Sequence, residues 1–169
     1  MQDCFKRNID YLRVSLTSNC NLRCQYCMPE QKIKQTEEML SQKDLIHLVE
    51  LISSTGIKKI RLTGGEPLLY PQIILELAKN LKPLSIPLFL ETNGTLVKQL
   101  AQVIDEIDII SMDMKLPSDI GKAYWQEHEE FLKLASKKDV YIKIVVSSES
   151  TVEDFEKEIF WNDIAYKLK

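Results

Sequence analysis

Short runs of aliphatic and β-branched residues alternate along this chain with stretches where apolar side chains return every three or four positions. That switching is the signature of βα units around a parallel sheet. Five units can be followed, the first strand being predicted at Tyr11 to Leu16. Ser41 and Asp44 form a capping box that opens a helix with Leu45, Leu48, Val49 and Ile52 on one face, and Gly56 closes it. A second strand, Lys58 to Leu62, precedes a helix opened by Pro71 with Ile74, Leu77, Ala78 and Leu81 inward. The third strand is Leu88 to Leu90, followed by a helix over about Leu96 to Ile104. The fourth strand is Ile107 to Met112 and the next helix runs from Trp125 to Ser136. Strand five, Val140 to Val146, is nearly continuous in apolar character apart from Lys143, and Thr151 with Asp154 starts a last helix. Beyond Ile159 the periodicity decays.

The polar motifs punctuate this pattern at one kind of place. The cysteine-rich segment after strand one, Gly64-Gly65-Glu66 after strand two, Thr92-Asn93-Gly94 after strand three and Ser111 in strand four all lie at or near C-terminal strand ends. In parallel α/β folds ligands bind at that edge, so these residues are expected to converge on one rim.

At 169 residues the chain is long enough for one domain with a real core, and no repeat, linker or low-complexity tract divides it. The net charge of -3, with lysines and glutamates interleaved, supplies no basic tract for nucleic acid or anionic lipid. No apolar run approaches the roughly twenty residues needed to span a bilayer. The N-terminus carries no secretory pattern, so a reducing, cytoplasmic location is expected.

Cys20, Cys24 and Cys27 form a CxxxCxxC loop. Three thiolates can hold three irons of a four-iron four-sulfur (4Fe-4S) cluster and leave the fourth open. The alternatives are three unrelated buried thiols or a structural zinc site, but zinc wants four ligands, and Cys4 and His47 are at no customary spacing. Gly64 and Gly65 could simply make a turn, or could let backbone approach a ligand. Thr92 and Ser111 are open to the same two readings. Lys143, inside an apolar strand, calls for an anionic partner, which a phosphate would provide.

CxxxCxxC with Tyr26 before its last cysteine, together with Gly64-Gly65-Glu66-Pro67, resembles the radical S-adenosylmethionine (SAM) enzymes. That resemblance implies a partial (βα) barrel with mostly parallel strands, here a single domain over 1–169 lacking a sixth strand. It also implies a 4Fe-4S cluster on the three cysteines, SAM on the open iron, and reductive cleavage of SAM to a radical that abstracts substrate hydrogen. Tyr26, Gly64, Gly65, Glu66 and Ser111 would contact SAM. Oxygen sensitivity follows, and an electron donor such as flavodoxin or ferredoxin is expected.

Within the family, Ile9 to Thr17, Tyr26-Cys27-Met28-Pro29 and Lys59 to Pro67 resemble the GTP cyclases of molybdenum cofactor synthesis. By that resemblance Arg13, Arg61, Thr92 and Lys143 would contact a GTP-derived substrate, a task suited to the bidentate fork of arginine. Those cyclases continue into a second cluster region that is not found here. Glu91 to Thr95 and Ile109 to Ser118 instead resemble carboxy-deazaguanine synthases, which need one cluster. A glycyl-radical activating enzyme and an inert remnant are further readings. A strand-five edge left unpaired would invite a homodimer.

Overall fold

The computed structural model describes residues 2–27, 40–154 and 156. Five strands, β1 (Tyr11–Ser15), β2 (Lys59–Thr63), β3 (Leu88–Thr92), β4 (Ile109–Met114) and β5 (Asp139–Ile144), form one sheet in the order β1-β2-β3-β4-β5. Every neighbouring pair is parallel. Because each strand pairs with the next in sequence, right-handed crossovers place all the connecting helices on the same face. The result is an α/β partial barrel: one wall of strands with a single helical layer outside it.

The helices are α1 (Gln42–Ser53), α2 (Pro71–Leu81), α3 (Val97–Val103), a short α4 (Pro117–Ile120) and α5 (Trp125–Ala135). Strand alternation sorts the side chains. Ile60, Leu62, Leu88, Leu90, Ile110 and Met112 point outward and are buried against Ile74, Leu77, Leu100, Phe131 and Leu132 of the helices. The opposite parity carries Arg13 beside Arg61, Glu91 beside Ser111 and Asp113 beside Lys143, at three successive levels of the wall.

Several boundaries move. Ser41 does cap α1, its Oγ accepting from the Asp44 N–H at 3.2 Å. The buried face of α1 is Ile46, Val49 and Ser53, with Leu45 and Ile52 packed at its margin, whereas Leu48 turns outward. Both stripes have helical spacing, so periodicity alone did not choose between them. Strand three extends two residues further than its apolar run because Glu91 and Thr92 keep pairing with β4. Strand four starts at Ile109, Ile107 belonging to the turn after α3.

Strand five is not buried throughout. It pairs with β4 alone among the described residues, and Val145 and Val146 lie past its end, exposed. Among the described residues there is no sixth strand. The capping box at Thr151 forms, with Thr151 N–H donating to Asp154 Oδ2 at 3.2 Å. Met28, Pro29 and the stretch around Ile159 lie outside the described residues.

Candidate functional site

Two loops lock together at the C-terminal ends of β1 and β2. The Gly65 N–H donates to Thr17 O at 2.7 Å and the Glu66 N–H to Asn19 O at 2.8 Å. Gly64 has φ +126, and a Cβ there would stand 2.4 Å from Thr17 O. At Gly65 a Cβ would stand 2.0 Å from Asn19 O. Any side chain at either position would force the loops apart, so the paired glycines first serve the approach of one loop to the root of the other. Both also line the cavity beside the cysteines.

Glu66 is fully buried and acts as the pin. Its carboxylate accepts from Leu68 N–H at 3.0 Å, Thr92 Oγ1 at 2.9 Å and Asn93 N–H at 2.8 Å. Burial pushes its pKa up to about 7, against the pull of those donors. The Thr92 hydroxyl, expected from sequence to meet substrate, donates to Glu66, and the residue lines the cavity beside the cysteines. Asn93 extends the network: its Nδ2 donates to Asn21 Oδ1 at 2.8 Å and stands 3.7 Å from Cys20 Sγ. Its carbonyl lies 3.1 Å from Nε2 of buried His128, whose pKa burial lowers to about 4, so the neutral ring donates there.

The three cysteines line a cavity of about 210 Å³ together with Tyr26, Gly64, Gly65, Glu91, Asp113 and Lys115. Cys27 N–H donates to Cys24 O at 3.0 Å, and Gln25 N–H to Asp119 O at 3.1 Å, which ties the loop's far side to α4. Cys24 is buried, and burial pushes its thiol above the ordinary value despite the Lys115 charge nearby. Lys115 Nζ donates to Tyr26 Oη at 2.7 Å and pairs with Asp113 at 3.2 Å. Burial opposes its charge, yet the Tyr26 hydrogen bond and the Asp113 charge hold its pKa above the usual lysine value. The larger cavity, about 300 Å³, lies at the other end of the sheet near Leu81, Asp105 and Asp108, away from the cysteines.

This donor set suits an iron-sulfur cluster. Cys20 Sγ already receives Leu22 N–H at 3.4 Å, the kind of N–H···S bond that supports a cluster thiolate. Among the described residues, no three His, Cys, Asp or Glu side chains gather to hold a single metal ion. Ser111 on the inner face is fully buried, its hydroxyl has no hydrogen-bond partner among the described residues, and it is not among the residues that line the cavity.

Below the cavity lies an ionic lattice. Arg13 Nη2 reaches Glu91 Oε2 at 2.7 Å, while Arg61 Nη1 and Lys143 Nζ reach Oε1 at 2.8 and 3.2 Å. Lys143 also meets Asp113 Oδ1 at 2.9 Å. Burial by itself would raise the Glu91 pKa, but hydrogen bonds from Thr63, Arg61 and Lys143 outweigh it and bring it to about 2. The cations proposed from sequence do converge, on a carboxylate that sequence reasoning named only within a motif. Strand parity is the signal that would have found it.

A thiolate loop and a glycine loop at the carboxyl edge of a parallel wall define a cofactor-binding domain of the barrel-derived α/β class. The radical SAM superfamily model matches residues 14–161, and the chain belongs to that family, whose members use a 4Fe-4S cluster and SAM. The chain is 42% identical over 129 residues to a GTP 3',8-cyclase of Syntrophomonas wolfei, covering 73% of this chain and 39% of that protein. It is 38% identical over 124 residues to a GTP 3',8-cyclase of Alkaliphilus metalliredigens, covering 70% and 38%. It therefore spans about two-fifths of the length of these curated relatives. In fold it is similar to Streptococcus suis SuiB bound to S-adenosylmethionine, with TM-score 0.69, 19% identity, 94% of this chain and 38% of that chain covered. Among the described residues no helix is long and apolar enough to cross a membrane.

Proposed function

We propose that this chain is the catalytic core of a radical SAM enzyme acting on a GTP-derived substrate in molybdenum cofactor synthesis. Cys20, Cys24 and Cys27 hold the cluster, and the Gly64-Gly65 loop, Tyr26 and Ser111 face SAM. When bound, the cluster and SAM supply a reductively generated carbon radical for hydrogen abstraction. The observation that carries the reading is one cavity lined both by the three cysteines and by Glu91 and Asp113, whose carboxylates pair with Arg13, Arg61 and Lys143.

In this reading each residue has a task set by its chemistry. The Glu66 pin fixes the two loops against each other, so the thiolates keep a constant distance from the inner wall. Asn93 carries that order to Cys20. The cations supply an anion subsite, in keeping with relatives that are GTP 3',8-cyclases. A small electron carrier such as flavodoxin or ferredoxin would deliver the electron from the open side of the cysteine loop, where Cys27 is exposed.

The test is substrate dependence. Anaerobically reconstituted protein with reductant and SAM should release deoxyadenosine faster when GTP is added than when ATP is added. Acceleration by a carboxy-tetrahydropterin, with none by GTP, would assign the chain to deazapurine synthesis instead.

A further inference from the structure

Three cations from three strands meet at one carboxylate, and Lys143 also meets Asp113 Oδ1 at 2.9 Å. Arg13, Arg61 and Lys143 stand 2.7, 2.8 and 3.2 Å from Glu91. Each contact occupies one N–H of a cation that carries several and sets the carboxylate's charge against the positive charges an anion would meet. The subsite read as an anion site therefore contains an anion of its own.

The position of Glu91 gives that fact a direction. Glu91 lines the cavity that the cysteines share, whereas Arg13, Arg61 and Lys143 are not among its lining residues. A ligand entering from the cysteine side meets the carboxylate before it meets the cations. Arg61 does not depend on Glu91 alone for its placement: its guanidinium lies between the Tyr11 and Phe89 rings, 5.6 and 5.5 Å from their centroids. Its Nε is buried with no hydrogen-bond partner among the described residues, so a donor remains unused. If Glu91 turns away, Arg61 keeps its aromatic contacts and Lys143 keeps Asp113, and the positive field is less compensated.

Resting on the substrate reading above, we propose that Glu91 is a specificity-determining residue, an internal carboxylate that competes with an incoming polyanion for Arg13, Arg61 and Lys143. Competition selects by valency. A single phosphate exchanges one set of bonds for another and gains little. A triphosphate can engage several cations at once and wins the exchange.

The experiment is a calorimetric titration of inorganic tripolyphosphate and of orthophosphate into the full chain with its reconstituted cluster, for wild type, Glu91→Asp, Glu91→Gln and Arg61→Met. Removing a unit charge that close to the bound anion should tighten tripolyphosphate binding by at least about tenfold in Glu91→Gln, after allowance for salt screening. Glu91→Asp, with its charge on a shorter stem, should fall between Gln and wild type, and orthophosphate binding should strengthen in the same order. A gain in affinity is not what a merely damaged fold produces, and the Asp variant keeps the test decisive if the Gln variant does not fold. Variants that bind tripolyphosphate no more tightly than wild type would overturn the proposal while leaving the substrate reading intact, provided Arg61→Met weakens binding. Binding that is absent in wild type and variants alike, or indifferent to Arg61→Met, would overturn both.

Discussion

The two faces of the same five strands are built on opposite terms. Toward the helices, Ile60, Leu62, Leu90 and Ile110 are fully buried among aliphatic neighbours. One residue away along each strand, Arg61, Glu91 and Asp113 face an ionic lattice beside a cavity. Apolar burial is worth roughly 25 cal/mol per Å² and asks for no partner, so the outer face can carry stability alone. A charge taken from water gains only if its partners are well placed, so the inner face contributes little net stability and much positional order. Fold and site are therefore separable by strand parity, and substitutions on the two faces should fail differently.

The sharpest separation lies in the cysteine loop. Cys24→Ala should abolish the characteristic cluster absorption after reconstitution while circular dichroism shows the fold retained; a variant that keeps its full iron content would break the assignment. On the outer face, Leu62→Ala should cost about 2–5 kcal/mol in denaturant unfolding, through lost transfer energy and the cavity left behind. Its cluster ligands are untouched, so any folded fraction should still load iron.

Glu66 bridges the two regimes and should show a smaller, pH-dependent effect. Glu66→Gln replaces an acceptor of three hydrogen bonds by an amide that must oppose one donor with another, a loss of about 1–3 kcal/mol. Burial raises the native pKa from 4.5 to about 7, so the folded protein binds more protons in that window and Glu66 stabilises it less as pH rises. His128, lowered from 6.5 to about 4, titrates in the opposite sense but is common to both proteins and cancels in their difference. The deficit of Glu66→Gln in melting temperature should narrow from pH 4.5 to 7; a widening deficit would contradict the burial account.

Least costly is Lys143→Met. Its side chain is 40% exposed, and its pairs with Glu91 and Asp113 should be worth under about 1 kcal/mol by unfolding. A loss of several kcal/mol would mean that the inner face supports the fold after all.

What sequence revealed follows the same division. The cysteine loop, Gly64-Gly65 and the C-terminal strand positions were legible because they depend on local spacing and on the general geometry of parallel sheets. Arg13 and Arg61 were singled out through family resemblance and Lys143 also by its place in an apolar strand, but their shared partner was not. Glu91 and Lys143 are 52 residues apart, and only the pairing of β3, β4 and β5 brings them together. The contact from Lys115 to Tyr26 spans 89 positions and left no local trace. The Leu48 side of α1 was misjudged because two apolar stripes overlap on that helix. The reach of strand five was overestimated because an edge strand can look apolar without being enclosed.

The central claim is that Cys20, Cys24 and Cys27 hold a 4Fe-4S cluster that cleaves SAM. Its most direct measurement is deoxyadenosine release by the anaerobically reconstituted protein given reductant and SAM, with iron and sulfide quantified in the same sample. About four irons and four sulfides per chain, with reductant-dependent deoxyadenosine, are expected. Stoichiometric zinc in place of iron, or a fully loaded cluster that yields no deoxyadenosine, would contradict it.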